Sequence, residues 1–233
     1  MEQTLKITNV LSDPTRLSIY EYITKNHKEV TVQDIAEEFH IHPNVARLHL
    51  TKLEDVGMLV SENRKTGRGG RPSRLYRLSD EVIELHFPFR DYKLLSRIAL
   101  EAMHSLGKAG EKALYETGKR YAKELIENQL MKEKVSKNEL TFNQKVDFIK
   151  TTMTILGFYP DIYIKEKGQK LYFQIFNCPF KEVAVDYQTQ TCNMHAIFIT
   201  GLLEALFDNL EVEHVQNMLD GCSACAYHVN IQN

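Results

Sequence analysis

The chain of 233 residues reads as an α+β protein in three successive parts. Three observations predict this. The first third carries short helical apolar patterns followed by two strand-like runs around a glycine-rich turn. The middle has helical periodicity with no strand signal. The last part alternates strand and helix signals and holds all four cysteines. The corresponding spans are 1–80, 81–135 and 136–233.

In the first part, Ser12-Asp13-Pro14-Thr15-Arg16 opens a helix. Asp13 can cap its free amides, and Pro14 suits the first helical position, where no donor is needed. Leu17, Ile19, Tyr20 and Ile23 supply its apolar face. Thr31 caps a second short helix, Val32 to Phe39, burying Ile35, Ala36 and Phe39. The turn His40-Ile41-His42 leads to Pro43 and a third helix reaching about Val56, with Gly57 placed to end it in a left-handed conformation. Val45, Leu50 and Leu53 are expected inside, leaving Asn44, Arg47, Thr51 and Leu48 outside, with His49 packed. Two short helices joined by a tight turn, the second bearing polar and basic groups, make a helix-turn-helix. Met58-Leu59-Val60 then begins a strand, Thr66 to Pro72 is a turn, and Arg74 to Leu78 returns as a second strand. The resulting hairpin is a wing, and its arginines can reach phosphates or a narrow minor groove.

Charge supports that reading. Net charge is −2, yet Asn63 to Arg77 holds six basic residues (Arg64, Lys65, Arg68, Arg71, Arg74, Arg77) and no acid. From Cys178 onward seven acids face a single base, Lys181. A basic field so local binds phosphate although the whole chain is slightly anionic. The expected partner is double-stranded DNA, with Asn44, Arg47 and Thr51 in the major groove, Lys52 near phosphate, and Arg68, Arg71 and Arg74 on the flanking backbone or minor groove.

Asp80 to Arg90, with Pro88 barring a helix, forms the junction. Asp91 to about Lys132 reads as two helices divided near Gly107–Gly110. Their apolar surface can cover the sensor core or, because helix-turn-helix proteins read paired half-sites, join a homodimer, which is expected. Thr141 to Leu156 is a further amphipathic helix ended by Gly157. Asp161–Ile164 and Lys170–Phe176 are strands around Glu166-Lys167-Gly168-Gln169. Cys192 is expected to begin a helix, and Cys222 and Cys225 to lie in a final turn or strand.

The cysteines follow the order C-x13-C-x29-C-x2-C: Cys178, Cys192, Cys222 and Cys225. Their grouping suits a soft metal or an iron–sulfur cluster. A structural zinc could use the same four, with His195 as a substitute, although zinc ribbons usually carry two C-x2-C knuckles. A C-x2-C dithiol for redox chemistry would normally open a helix in a thioredoxin-like setting, which this sequence lacks. Disulfides need an oxidising compartment. The amino terminus shows no signal-peptide pattern, and no apolar run approaches the ~18 residues of a membrane span. A cytoplasmic protein without a membrane anchor is therefore expected. Composition, with 43% hydrophobic and 26% charged residues, is that of a soluble globular chain. No catalytic triad, carboxylate pair or phosphate-cradling loop is evident, so no enzyme is expected.

Leu11-Ser12-Asp13-Pro14-Thr15-Arg16, Arg47-Leu48-His49-Leu50 with Leu53-Glu54 and Gly57, Gly70-Arg71-Pro72 and Leu75-Tyr76-Arg77-Leu78 resemble the winged-helix regulators of the ArsR type. The resemblance is strongest to the branch holding the iron–sulfur-binding repressors of cluster-biogenesis operons. Asn177-Cys178-Pro179-Phe180, Cys192-Asn193-Met194-His195 and Cys222 match that branch in order. The resemblance implies ligand roles for Cys178, Cys192 and Cys222, with Cys225 the fourth by proximity rather than motif. It implies a transcriptional repressor whose DNA affinity an iron–sulfur cluster controls. A zinc-stabilised regulator of a small ligand and a C-x2-C redox protein are the alternatives.

Overall fold

The computed structural model describes residues 2–64, 73–165 and 170–231. The chain divides into two compact units, Met1–Arg90 and Asp91–Asn233.

The first unit begins with a helix the sequence reading did not anticipate, α1 (Glu2–Leu11), which buries Ile7 and Val10. α2 (Pro14–Asn26) starts as expected: the Arg16 amide donates to Asp13 Oδ1 at 2.9 Å, and Pro14 occupies the first position. Thr31 and Asp34 form a reciprocal capping box at the head of α3 (Val32–Glu38). α4 (Pro43–Asp55) is capped by His42, whose Nδ1 accepts from the Asn44 amide at 3.2 Å. Gly57 has φ +77° and turns the chain out of α4, a conformation that costs glycine nothing. β1 (Leu59–Arg64) and β2 (Ser73–Leu78) pair antiparallel from Leu59↔Leu78 to Arg64↔Ser73. A bridge from Val30 to Tyr76 ties the hairpin to the helices. Ile19, Ile23, Ile35, Leu50, Leu53, Leu59 and Tyr76 form the core. Val45, expected inside, points outward, because Ala46, His49, Leu50 and Leu53 already fill the inner side of α4.

The second unit holds α5 (Tyr92–Ser105), α6 (Lys108–Glu133), α7 (Phe142–Ile155), β3 (Pro160–Lys165), β4 (Lys170–Ile175), α8 (Lys181–Ala184), α9 (Gln188–Glu204), β5 (Leu210–Gln216) and β6 (Cys225–Ile231). The strands form one antiparallel sheet in the order β3-β4-β6-β5. Leu171, Phe173 and Ile175 alternate inward along β4, as a half-buried strand requires. The central helices are not a separate layer. α6 lies along α9 and contributes Ala122, Ile126 and Leu130 to the core that also holds Ile199, Leu202 and Leu203. Gly201 permits that approach, since a Cβ there would meet the Lys119 carbonyl oxygen at 2.7 Å and Ala122 Cβ at 2.9 Å. β5 and α8 were not anticipated, and Cys192 sits inside α9 rather than at its start.

Candidate functional sites: a basic recognition face and a thiol-lined core

On α4, Asn44, Val45, Arg47, Leu48 and Lys52 are exposed and Thr51 half-buried. The Arg47 Nη1 donates to Asn44 Oδ1 at 3.3 Å, holding the two side chains together. Lys52 stands 3.9 Å from Asp55, one turn on, an exposed pair of little energetic weight. No acid occurs from Pro43 to Leu53, so the first three turns present only neutral and basic groups.

The wing arginines divide in two. Arg74 is committed within the unit: its Nη2 donates to Glu54 at 2.7 and 2.9 Å, its Nε donates to Ser61 Oγ at 2.8 Å, and its guanidinium lies over the Tyr76 ring. Glu54 comes from the end of α4, Ser61 from β1 and Arg74 from β2, so one fork fastens the recognition helix to the base of the wing. Arg64 likewise pairs with Glu29 and Glu62, and Arg77 with Asp80. Arg68 and Arg71, expected from the sequence to contact DNA, lie outside the described residues.

Behind α4 sits a buried polar group. Arg16 Nη1 donates to the Val10 carbonyl at 2.8 Å, and its Nη2 stands 3.7 Å from Asp13. His49 is buried nearby, and burial holds its imidazole below the ordinary histidine range; Asp13 opposes that shift and Arg16 adds to it.

In the second unit, sheet register assembles the thiols. Cys225 begins β6 directly opposite Ile175, the last residue of β4, and Cys178 follows three residues later. Cys192 and His195 share α9, and Cys178 Sγ lies 3.7 Å from His195 Nδ1. Cys222 precedes β6, after a single 3-10 turn at Met218–Asp220. The four thiols are free; Cys178 is within electrostatic reach of Cys192 and Cys225, and Cys225 of Cys192 and Cys222. Burial pushes the Cys178 thiol up to about 12, helped by Cys225, Cys192 and Glu182, against one backbone hydrogen bond from Phe180. Burial also raises Cys225, whose sulfur accepts from the Met218 amide at 3.5 Å. Among the described residues, no three His, Cys, Asp or Glu side chains are close enough to grip a metal ion as they stand.

Around the thiols is a polar set of which the sequence reading named only His195. His195 is 2% exposed, stacked on Phe158 at 5.1 Å and edged by Phe180 and Tyr227. His214 of β5 stacks on Tyr227 at 4.5 Å, where the register of β5 slips between His214 and Gln216. Thr191 Oγ1, His195 Nε2, His214 Nε2 and Tyr227 Oη are buried without a hydrogen-bond partner. Burial holds His195 near 4, and raises the Tyr227 phenol. Three of these groups, His195, Tyr227 and His214, follow one another ring to ring from Cys178, and burying such an atom unpaired costs roughly 1–3 kcal/mol.

Comparison with known proteins bears on the first unit. Residues 11–62 match the helix-turn-helix domain family. The first unit is therefore a helix-turn-helix domain, the module of DNA-binding transcription regulators. No curated protein matches the chain. Among solved structures, a trafficking protein particle complex subunit 3 from Naegleria fowleri, covalently bound to palmitic acid, is 16% identical with a TM-score of 0.43, over 60% of this chain and 97% of that one. The phenol-responsive sensory domain of the transcription activator PoxR, with phenol, is 14% identical with a TM-score of 0.45, over 67% and 80%. Likenesses this distant say nothing of what the chain binds. No helix among the described residues is long and apolar enough to cross a membrane.

Proposed function

We propose that the chain is a homodimeric transcriptional repressor whose affinity for duplex DNA is set by an iron–sulfur cluster held on Cys178, Cys192, Cys222 and Cys225. The observation that carries this reading is that Cys178, Cys192 and Cys225, from three chain segments, lie within electrostatic reach of one another, with Cys222 near Cys225 and His195 3.7 Å from Cys178. Four thiols have the chemistry of an iron–sulfur site, since thiolates ligate the iron and hydrogen bonds to the sulfurs tune it. They would have to draw closer than they stand to grip a cluster. When bound, such a group supplies a redox-sensitive cross-link. The chain's own residues supply the rest. Cys178 extends from the end of β4, Cys192 from α9, and Cys222 and Cys225 from the start of β6, so drawing the thiols together fixes these segments to one another. His195, wedged among Phe158, Phe180 and Tyr227, holds the α9 side of the site 3.7 Å from Cys178 Sγ.

The dimer is proposed through α5, which buries none of its residues and exposes Leu94, Leu95 and Ile98. In each protomer Asn44, Arg47 and Thr51 meet the major groove, Lys52 a phosphate, and Arg68 and Arg71 the flanking backbone. Arg74, held by Glu54, braces the wing rather than reaching DNA.

Anaerobic purification followed by iron, acid-labile sulfide and zinc analysis tests the reading. Brown protein with iron and sulfide, both lost in Cys178→Ser, Cys192→Ser or Cys222→Ser, is expected. Stoichiometric zinc without sulfide would leave a structural metal site instead.

A further inference from the structure

We propose that the recognition helix reads thymine through an apolar pair, Val45 and Leu48, beside the polar contacts of Arg47. The inference rests on the DNA-binding reading and specifies which base that surface selects. The inner side of α4 is fully occupied by Ala46, His49, Leu50 and Leu53, so the helix needs no further apolar contact to fold. Val45 and Leu48 are nevertheless 41% and 54% exposed. They stand one turn apart and so are neighbours on one face. Over its first three turns that face carries no acid and is bordered by the linked Asn44–Arg47 pair and by Lys52; Asp55, beside Lys52, closes it at the end of the helix.

Charge complementarity commits the occupant. A face with arginine and lysine and no carboxylate over three turns suits a polyanion. The floor of the major groove offers one apolar group, the thymine 5-methyl, and small aliphatic side chains are what meet it. Valine is stiff at its first side-chain torsion, so little freedom is lost when it settles on a methyl. Arginine is the side chain that pairs with both acceptors of guanine. The site should therefore carry thymine next to the base that Arg47 contacts.

The experiment uses the full chain. Duplexes are selected from a random pool, and the strongest is resynthesised with deoxyuridine replacing thymine at one position at a time, which removes only the methyl. At one or two positions per half-site the loss should be roughly fourfold, the worth of burying one methyl-sized group. Leu48→Ala or Val45→Ala should lose a similar factor on the thymine duplex and nothing more on the deoxyuridine one. Both side chains are exposed, and unchanged non-specific binding checks that the variants fold. Indifference to deoxyuridine at every position, a thymine preference that survives in both variants, or selection that yields no preferred sequence would each overturn the proposal while leaving DNA binding intact. Failure to bind any duplex would instead sink the DNA-binding reading beneath it.

Discussion

Arg74 shows how a single residue changes meaning once its neighbours are known. In sequence it is one of six bases in a row without acids; in the fold its guanidinium is neutralised by Glu54, distant in sequence, and held over Tyr76. Arg74→Ala should therefore leave the salt dependence of DNA binding nearly unchanged, whereas Arg68→Ala and Arg71→Ala should each lower the slope by about 0.9. A salt titration of the three variants decides this, and an equal drop for Arg74→Ala would return it to the DNA contacts. His49 gives a second test at this scale. Its folded-state imidazole resists protonation, while in the unfolded chain it takes a proton near the usual value of about 6.5, so the first unit loses stability as pH falls below that value. Amide exchange in α4, corrected for intrinsic rates, should quicken between pH 7.5 and 5.5 and do so less in His49→Gln. A neutral replacement that leaves the trend unaltered would assign it to another group.

At the scale of elements, the legible parts were those with local chemistry. Asp13 before Pro14, Thr31 before Val32, Thr141 before Phe142, and Gly57 and Gly157 after their helices all announce ends in a few residues, and each end stands where it was expected. β5 was missed although Leu210-Glu211-Val212-Glu213-His214 alternates, because its pairing with β6 is set by register rather than by composition. Thr191, His214 and Tyr227 were missed for the same reason. Nothing local distinguishes a tyrosine inside a strand from one lining a site. Val45 was misplaced because two apolar residues compete for one side of α4 and only packing shows that Ala46 wins. The contact of α6 with α9 invites a direct check. Gly201→Ala would push a methyl into the Lys119 carbonyl and should destabilise the second unit by roughly 1–3 kcal/mol, read in thermal melting. The open face of α5 invites another. Leu95→Glu with Ile98→Glu, both on exposed positions, should convert a dimer to monomer in sedimentation without loss of helix content. A dimer that persists would move the interface elsewhere.

Taken whole, the chain joins a helix-turn-helix domain to a unit that carries all four thiols, with His195 buried 3.7 Å from Cys178. The account holds that these are two ends of one device. Ligand state in the second unit must then be coupled to DNA affinity in the first, and that coupling is a free energy that can be measured. The most direct measurement titrates a selected duplex with anaerobically purified protein, before and after its iron is removed, at one salt concentration. The account predicts that iron and sulfide are present at the start and that their removal changes affinity by at least fivefold, the lower end of ordinary coupling. Cys178→Ser should behave as the stripped protein from the outset. Equal affinity in both states, with iron and sulfide truly present in the first, would contradict it.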